Sequence, residues 1–394
     1  MRTYDFYKQA LRGHHMPCAF VDLELFDANT REIAARAGSK RIRIATKSVR
    51  CVHLIERVLE CDSVYQGVMA YSLREAVFLS HQGIDDILVG YPAYDDVEDS
   101  GLAEELLRGK RITLMVDCEE QVRQCDRYGK EFNTVIPLCM DLDMSTQFPG
   151  LYFGVLRSPI KTPDQAVSLG QIIRMRKYVA LVGVMGYEAQ IAGLPDAVPG
   201  SWAFNGFVQF LKKRSLTEVR ERRARIVEAL RLDGHTLALV NGGGTGSMET
   251  TREEACITEV TVGSGFYSPT LFDHYAGFRH QPAAGYAIEI TRIPKHGVYT
   301  CQGGGYVASG TGAVKQPKPY LPDGARLNNV EGAGEVQTPI HYTGPERLAI
   351  GDPIIMRYAK AGELCERFNA LLLIENGQVT TETPTYRGEG QAFG

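Results

Sequence analysis

Short apolar runs alternate with amphipathic segments through roughly the first 275 residues of the chain. The apolar runs are rich in β-branched residues and predict strands, whereas the segments between them have the polar and apolar spacing of helices. Eight predicted strands cover residues 42–47, 63–70, 86–90, 112–117, 135–143, 179–185, 237–244 and 257–263. This alternation predicts an α/β fold, a (β/α)8 TIM-type barrel. A doubly wound open sheet is the alternative, disfavoured because no G-x-G-x-x-G follows the first strand.

Two further segments flank these eight strands. Before them, CAFVDLELFDANTREIAARA predicts one more strand that runs into a helix, with Asp27 or Asn29 near the helix start. After residue 275, short alternating runs such as GYAIEITRI and the turn signals KHG, PDG and ENG predict a second, mostly antiparallel β-domain. We therefore expect a barrel over 17–275 and a β-domain made of 276–394 with the N-terminal extension 1–16. The last stretch, TPTYRGEGQAFG, is expected to be a mobile or loosely docked tail.

Composition excludes several classes of function. A formal net charge of -4 over 394 residues gives no electrostatic footprint for nucleic acid. No apolar run approaches the roughly 18 to 20 residues that cross a bilayer, and the first residues lack the apolar core of a signal peptide. We therefore expect a cytoplasmic protein without a membrane partner. The nine cysteines include no C-x-x-C pair, which argues against a disulfide framework or a zinc site.

Active sites of barrels lie at the carboxyl ends of the strands, so the residues at those ends are the first candidates for chemistry. Lys47 ends the first predicted strand, and a lysine in a dry site can lose its proton and form a Schiff base with a carbonyl. An ordinary surface lysine is the alternative. Other strand ends carry the turns MAYS (69–72) and GYP (90–92), and also Asp117, Asp141, Asp143 and Tyr187.

Two glycine-rich loops predict a phosphate site. NGGGTGS (241–247) follows the seventh strand and GSGFYSP (263–269) follows the eighth, where barrels commonly bind phosphate through backbone N–H groups. The candidate cofactor-binding residues in these loops are Gly243, Gly244, Thr245, Gly263, Ser264 and Gly265. Two flexible glycine turns are the alternative. A lysine and a phosphate cradle together suggest pyridoxal 5'-phosphate, whose aldehyde needs the amine and whose phosphate needs the cradle.

In this order the motifs resemble the fold-type III pyridoxal-phosphate enzymes, in the branch of D-threonine aldolase, D-serine dehydratase and the alanine-racemase-like barrels. The resemblance rests on PCAFVDLELFDAN, TKSVR, GVLRSP, GVMGYEAQIAG, NGGGTGS, GSGFYSPTLFD, EGAGEVQTP and RYAKAGELCERF. It implies that Lys47 is the Schiff-base lysine and that Arg157 contacts the phenolic oxygen of the cofactor. It also implies that Tyr187 contacts the pyridine nitrogen or helps in proton transfer, with Glu188 and Gln190 as weaker candidates.

The sequence departs from those relatives at their metal site. They carry a histidine followed two residues later by Asp or Cys, whereas RYAKAGEL places Tyr358 and Lys360 at those positions. An ammonium cannot ligate a metal, and tyrosine is an uncommon ligand for such ions. Either the alignment is shifted or the enzyme works without that metal, and we favour the second, with Lys360 as a possible replacement for the cation's charge. His341 is the histidine expected to face the cofactor.

The expected activity is that of a pyridoxal-phosphate-dependent lyase acting on a small D- or β-hydroxy amino acid. D-Threonine aldolase-type cleavage is the first choice, and D-serine dehydratase-like deamination or amino-acid racemisation are alternatives. A non-catalytic pyridoxal-phosphate-binding protein and a cofactor-free barrel that forms a Schiff base with a sugar are the others. The resemblance also implies a homodimer in which the partner's β-domain completes the site.

Overall fold

The computed structural model describes residues 2–94, 97, 100–310 and 312–393. Its α-helices are Tyr4–Ala10 (α1), Leu23–Ala37 (α2), Val52–Cys61 (α3), Leu73–His81 (α4), Leu102–Leu107 (α5), Glu119–Glu131 (α6), Pro163–Arg174 (α7), Ala189–Ala192 (α8), Trp202–Leu232 (α9), Met248–Thr251 (α10) and Ser264–Tyr267 (α11). The strands of the first 262 residues are Cys18–Asp22 (β1), Arg41–Ala45 (β2), Tyr65–Ala70 (β3), Ile87–Val89 (β4), Ile112–Val116 (β5), Ile136–Asp141 (β6), Thr146–Phe148 (β7), Leu151–Phe153 (β8), Val179–Gly186 (β9), Leu239–Gly242 (β10) and Glu259–Val262 (β11). The later strands are Ala284–Lys295 (β12), Val298–Gln302 (β13), Lys318–Leu321 (β14), Arg326–Leu327 (β15), Gln337–His341 (β16), Pro353–Arg357 (β17), Ala370–Glu375 (β18) and Gln378–Pro384 (β19).

Eight parallel strands close into a barrel in the order β10-β11-β2-β3-β4-β5-β6-β9. The barrel closes because β11, its last strand along the chain, pairs with β2, its first, and Val260 lies opposite Ile42. Both residues are fully buried, as the apolar strands of a barrel covered by helices require. These strands are the eight predicted from the sequence, so the predicted barrel is confirmed and the open-sheet alternative is wrong.

The later strands and β1 form a second sheet, in the order β15-β16-β13-β12-β1-β18-β19, with β17 also pairing with β12 and β14. All of its pairs are antiparallel except β1 with β18, so the predicted second, mostly antiparallel domain is confirmed. Asn376 and Gly377 join β18 to β19 with φ of 52° and 75°. Positive φ at both central residues is the conformation that favours Asn-Gly in tight hairpins.

Strand β1 belongs by its pairing to the second sheet, although the sequence assigned it to the range of the barrel. Ala19 lies opposite Tyr286 of β12 and opposite Leu371 of β18. The barrel has no open edge because β11 pairs with β2, so this strand finds its partners in the other sheet. Asp22, rather than Asp27 or Asn29, caps α2 by accepting a hydrogen bond from the backbone N–H of Leu25. The other predicted domain boundaries stay a prediction.

The C-terminal residues dock on the barrel, contrary to the expectation of a mobile or loosely docked tail. Tyr386 is buried, and the ring of Phe393 lies 5.5 Å from that of Phe78 in α4 and 5.6 Å from that of Tyr386. The backbone N–H of Gln391 donates to the carbonyl of Tyr386 at 2.8 Å. Buried aromatic rings contribute large apolar area, which offsets the entropy of ordering the segment.

Helix α9 begins at Trp202 and ends at Leu232. Its first stretch, WAFNGFVQFLKKRS, contains no proline and has the helical spacing of apolar residues. With 31 residues this helix is long, but it is too polar to cross a bilayer. No other helix in the described part of the chain is both long and apolar enough to do so.

Candidate active site

A cavity that is partly open to solvent lies at the carboxyl ends of the barrel strands. Its wall brings together most of the residues that the sequence singled out: Lys47, Arg157, Tyr187, Gly243, Gly244, Thr245, Gly263 and Ser264. Gly265 lies just behind them, and its N–H donates to the Thr245 hydroxyl at 3.2 Å. The predicted residues therefore share one cavity at the end where barrels place their chemistry, and their roles stay a prediction.

Lys47 lies in the short 3-10 helix Thr46–Ser48 that follows β2. The Thr46 hydroxyl donates to the carbonyl of Met69 at 2.8 Å, and Arg50 Nε donates to the carbonyl of Lys47 at 2.9 Å. The segment Ala361–Glu366 of the second domain packs on this backbone so closely that Gly362 has no room for a side chain. The backbone of Lys47 is thus held on several sides, while its side chain extends into the cavity.

Tyr91 is the residue in this cavity that sequence reasoning missed, because GYP was noted only as a turn. Lys47 Nζ donates to its phenolic oxygen at 2.6 Å. Burial raises the pKa of Tyr91, but the nearby charges of Lys47 and Arg157 outweigh burial and lower this pKa overall. A tyrosine immediately after the end of a barrel strand was the available signal.

Arg157 supplies a second positive charge to the cavity wall. Its guanidinium lies 5.5 Å from the ring centroid of Tyr91 and 5.9 Å from that of Tyr187, within the range of cation–π attraction. The Ser158 hydroxyl donates to the carbonyl of Asp141 at 2.7 Å and anchors this loop to the end of β6. Burial raises the pKa of Tyr187 to about 12, so its phenol stays neutral at ordinary pH.

The acidic residues at the ends of β5 and β6 differ in character. Burial and the charge of Asp117 raise the pKa of Asp141 to about 7, while Arg157 opposes the shift. Asp143 instead accepts a hydrogen bond from the backbone N–H of Ser145 at 2.7 Å and lies 3.5 Å from the ammonium of Lys161. With its raised pKa, the carboxyl group of Asp141 can exchange a proton near neutral pH.

Glu188 organises the loop that follows β10. One carboxylate oxygen accepts from Arg223 at 2.7 Å and from the Gly243 N–H at 3.2 Å, and the other accepts from the hydroxyls of Ser247 (2.8 Å) and Thr251. The group is fully buried, so these bonds are protected from water. Gln190 also bonds within the fold, to the carbonyl of Met144 at 2.6 Å. Both side chains, which the resemblance offered as weaker candidates for a role at the cofactor, make hydrogen bonds that hold the surrounding loops in place.

The glycines of the two loops lie too close to neighbouring residues to carry side chains. A Cβ at Gly244 would lie 2.8 Å from Ala192 Cβ, and one at Gly263 would lie 2.7 Å from Ser48 Oγ. Over the described ranges, the backbone N–H groups of Thr245 and Ser264 have no protein acceptor. Unpaired N–H groups on a glycine-lined wall suit a phosphate.

The residues at the relatives' metal positions do not line this cavity. Lys360 Nζ donates to the Ser309 hydroxyl at 2.6 Å and lies 3.6 Å from Glu363, while Tyr358 is buried. His341, expected to face the cofactor, is instead exposed on β16. In the described part of the chain, no group of three or more His, Cys, Asp or Glu could hold a metal ion. The catalytic role predicted for Lys360 stays a prediction.

Comparison with known proteins agrees with this geometry. Residues 21–270 match the family described as alanine racemase, N-terminal domain. A curated D-threonine aldolase from Arthrobacter sp. is 25% identical over 255 residues, 63% of this chain and 60% of the aldolase, so the match spans less than two thirds of that relative's length. Among solved structures, D-threonine aldolase from Filomicrobium marinum has a TM-score of 0.80 at 19% identity, covering 95% of both chains. D-threo-3-hydroxyaspartate dehydratase from Delftia sp. HT23 has a TM-score of 0.75 at 17% identity, covering 95% of this chain and 98% of that one. The family match covers more than half of the chain, so the resemblance is confirmed and the chain belongs to the alanine racemase N-terminal domain family.

Proposed function

We propose that this protein is a pyridoxal-5'-phosphate-dependent lyase that acts on a small D- or β-hydroxy amino acid. The observation that carries the proposal is the placement of Lys47 in the same cavity as two glycine loops with unpaired backbone N–H groups. A cofactor with an aldehyde at one end and a phosphate at the other needs both features. The named relatives, an aldolase and a 3-hydroxyaspartate dehydratase, support a β-hydroxy substrate.

The residues present fit such a cofactor. Lys47 would bind its aldehyde covalently, and Arg157, always charged, would hold its phenolic oxygen ionised. Tyr187 would lie against the ring. The phosphate would lie among the loop residues Gly243, Gly244, Thr245, Gly263, Ser264 and Gly265. When bound, the cofactor supplies an electron sink for bond cleavage at the α-carbon of the substrate.

In the proposed reaction, side chains in the cavity have to transfer protons to and from the reacting groups. Tyr91 contacts Lys47 Nζ directly, and as a phenolate, which the charges of Lys47 and Arg157 favour by lowering its pKa, it can accept the ammonium proton to become a phenol and later return it. Burial holds Tyr187 neutral, which leaves it as a hydrogen-bond donor rather than a base. Retro-aldol cleavage is our first assignment because the curated relative is a D-threonine aldolase. Dehydration is the second, supported by the fold shared with the Delftia enzyme.

Covalent cofactor binding is tested by absorbance. Purified protein incubated with pyridoxal 5'-phosphate should gain the visible absorbance band of a lysine-linked cofactor, and Lys47→Ala should lose it. Lys213→Ala, which removes an exposed lysine of α9, is the matched control and should keep the band. Absence of the band in wild-type protein, or its persistence in Lys47→Ala, would overturn the assignment.

The reaction is tested with a panel of D- and L-β-hydroxy amino acids, with and without a chelator. Glycine plus an aldehyde indicates an aldolase, a keto acid plus ammonia a dehydratase, and an inverted centre a racemase. We expect glycine and an aldehyde from D-configured substrates, unchanged by the chelator. A stable absorbance band without any product would contradict the proposed catalytic activity and favour a non-catalytic cofactor-binding protein.

A further inference from the structure

A buried arginine lies behind the first glycine loop. Arg36, in the last turn of α2, is buried and does not line the cavity. Its Nη2 donates to the carbonyl of Thr245 at 2.7 Å, and its Nε donates to Glu249 of α10 at 2.6 Å. One side chain therefore connects α2 to the loop NGGGTGS and to the short helix that follows the loop.

The charge of Arg36 is balanced where it lies. Glu249 accepts from both Nε and Nη2, at 2.6 and 3.1 Å, which is the forked geometry in which an arginine binds a carboxylate. The ring centroid of Phe278 lies 4.0 Å from the guanidinium, within the range of cation–π attraction. We expect little of this charge to reach the cavity, so Arg36 acts on the loop through its hydrogen bonds.

His280 occupies the remaining nitrogen of the guanidinium. Arg36 Nη1 lies 2.7 Å from His280 Nε2, and because a guanidinium can only donate, Nε2 must accept. The proton of the neutral ring is then on Nδ1, which lies 3.3 Å from a carboxylate oxygen of Glu32. Burial and the charge of Arg36 lower the pKa of His280 to about 3, so the ring stays neutral and remains an acceptor at ordinary pH.

The same group of side chains contacts the second glycine loop. A Cβ at Gly265 would lie 3.2 Å from His280 Cδ2 and 3.1 Å from Thr245 Cγ2. The N–H of Gly265 donates to the Thr245 hydroxyl at 3.2 Å, so Thr245 joins the two loops. A displacement of Arg36 or His280 would therefore change the spacing of both loops.

We propose that Arg36 and His280 are positioning residues for the phosphate of the cofactor, because together they hold the carbonyl of Thr245 behind the loop and away from the cavity. This inference rests on the proposed function. In a trans peptide the C=O and the following N–H point in opposite directions, so the bond to Arg36 also turns the N–H of Gly246 away from Arg36. In the described part of the chain this N–H has no protein acceptor. A loop fixed in this way presents donors rather than carbonyl oxygens to an anion and needs no rearrangement when the phosphate binds.

A comparison of two ligands tests the proposal. Pyridoxal 5'-phosphate and pyridoxal share the aldehyde, but pyridoxal lacks the phosphate. We expect Arg36→Leu to weaken binding of pyridoxal 5'-phosphate at least about tenfold, measured by titration of the visible absorbance band, and to leave binding of pyridoxal within about twofold. Arg31→Leu, which makes the same change at an exposed position of α2, should alter neither dissociation constant. A residue that only stabilised the fold would weaken both ligands alike, and that result would overturn the proposal.

Arg36→Lys separates hydrogen-bond geometry from charge. It keeps the charge, but an ammonium presents its donors from one nitrogen and cannot reproduce the fork, so we expect the same selective loss as for Arg36→Leu. If Arg36→Lys keeps the wild-type preference for the phosphorylated ligand, the proposal is overturned in favour of an effect of charge.

Two replacements of His280 test the acceptor. His280→Leu removes it and should weaken binding of pyridoxal 5'-phosphate selectively, whereas His280→Gln, whose amide oxygen can accept from Arg36, should keep most of the affinity. If circular dichroism shows that the Arg36 variants do not fold, this pair decides the question. Equal losses in the two His280 variants would overturn the role of His280 as acceptor.

The wild type distinguishes a failure of this proposal from a failure of the proposed function. Wild-type protein that binds neither ligand would refute the proposed function, and the role of Arg36 with it. If the wild type binds both ligands and Arg36→Leu keeps the preference for the phosphorylated one, the role of Arg36 is overturned while the proposed function stands.

Discussion

Glu188 is the residue whose replacement tests how the phosphate cradle is held. Its buried carboxylate accepts hydrogen bonds from Arg223, from the Gly243 N–H and from the hydroxyls of Ser247 and Thr251. In Glu188→Ala these donors lose their acceptor in a region that water does not reach. The loop that carries the cradle would then lose both its shape and part of its stability.

The cost follows from the burial of these groups. Removing one partner of a buried ion pair costs about 3–5 kcal/mol, and each donor left without an acceptor costs about 1–3 kcal/mol. Arg223 keeps a second carboxylate, Glu254, and a bond to the carbonyl of Gly186 at 2.8 Å, so the charge penalty lies at the lower end. We expect Glu188→Ala to reduce the free energy of unfolding by about 4 kcal/mol. Glu188→Gln should cost about 2 kcal/mol, because the amide keeps the volume and one acceptor.

Equilibrium unfolding in urea, followed by circular dichroism, measures these differences. Glu253→Ala is the matched control, because Glu253 is exposed and pairs with Arg252 at the surface, and it should change stability by less than about 0.5 kcal/mol. Calorimetric titration with pyridoxal 5'-phosphate should show weaker binding for Glu188→Ala alone. The reasoning is refuted if Glu188→Ala unfolds within about 1 kcal/mol of the wild type and binds the cofactor as tightly.

Three further changes probe other parts of the barrel. Gly244→Ala places a Cβ 2.8 Å from that of Ala192, and we expect a loss of cofactor affinity of about tenfold together with a loss of about 1–3 kcal/mol in urea unfolding, because the crowded atoms must move apart. Glu259→Ala leaves the buried guanidinium of Arg43 without its main partner and should cost about 3–5 kcal/mol in urea unfolding. Burial raises the pKa of Glu75 from 4.5 to about 7, so stability present below about pH 4.5 is lost as the pH rises through about 7. Glu75→Gln should remove that dependence, worth about 3 kcal/mol, from urea midpoints measured across the range.

The barrel was predictable because each of its strands has a recognisable pattern in the local sequence. Runs such as Ile42 to Lys47 are short, rich in β-branched residues and followed by helical spacing, so the eight strands could be counted without knowledge of their partners. The pairing of β1 and the docking of Phe393 could not be predicted in this way. Each depends on a surface built by residues hundreds of positions away, which local periodicity does not encode.

The residues of the candidate site also differ in whether a local sequence signal or a distant contact reveals their role. Lys47, Tyr187 and the glycine loops were singled out because the fold places strand ends at one face, and a strand end is visible in sequence. Arg157 was singled out only through the resemblance to a family. The supporting role of Glu188 was not visible, because its partner Arg223 lies 35 positions later in the middle of a long helix. Tyr91 was missed for a similar reason: its importance comes from its contact with Lys47, 44 positions earlier.

The placement of Lys360 bears on how a β-hydroxyl could be activated. Its ammonium contacts Ser309 and lies close to Glu363, so within this chain its charge is already balanced. A cation that is paired with a carboxylate polarises a substrate poorly. In the cavity itself the positive charges belong to Lys47 and Arg157, and both lower the pKa of Tyr91. We therefore expect the task of taking the hydroxyl proton, if cleavage is the reaction, to fall to Tyr91 rather than to Lys360.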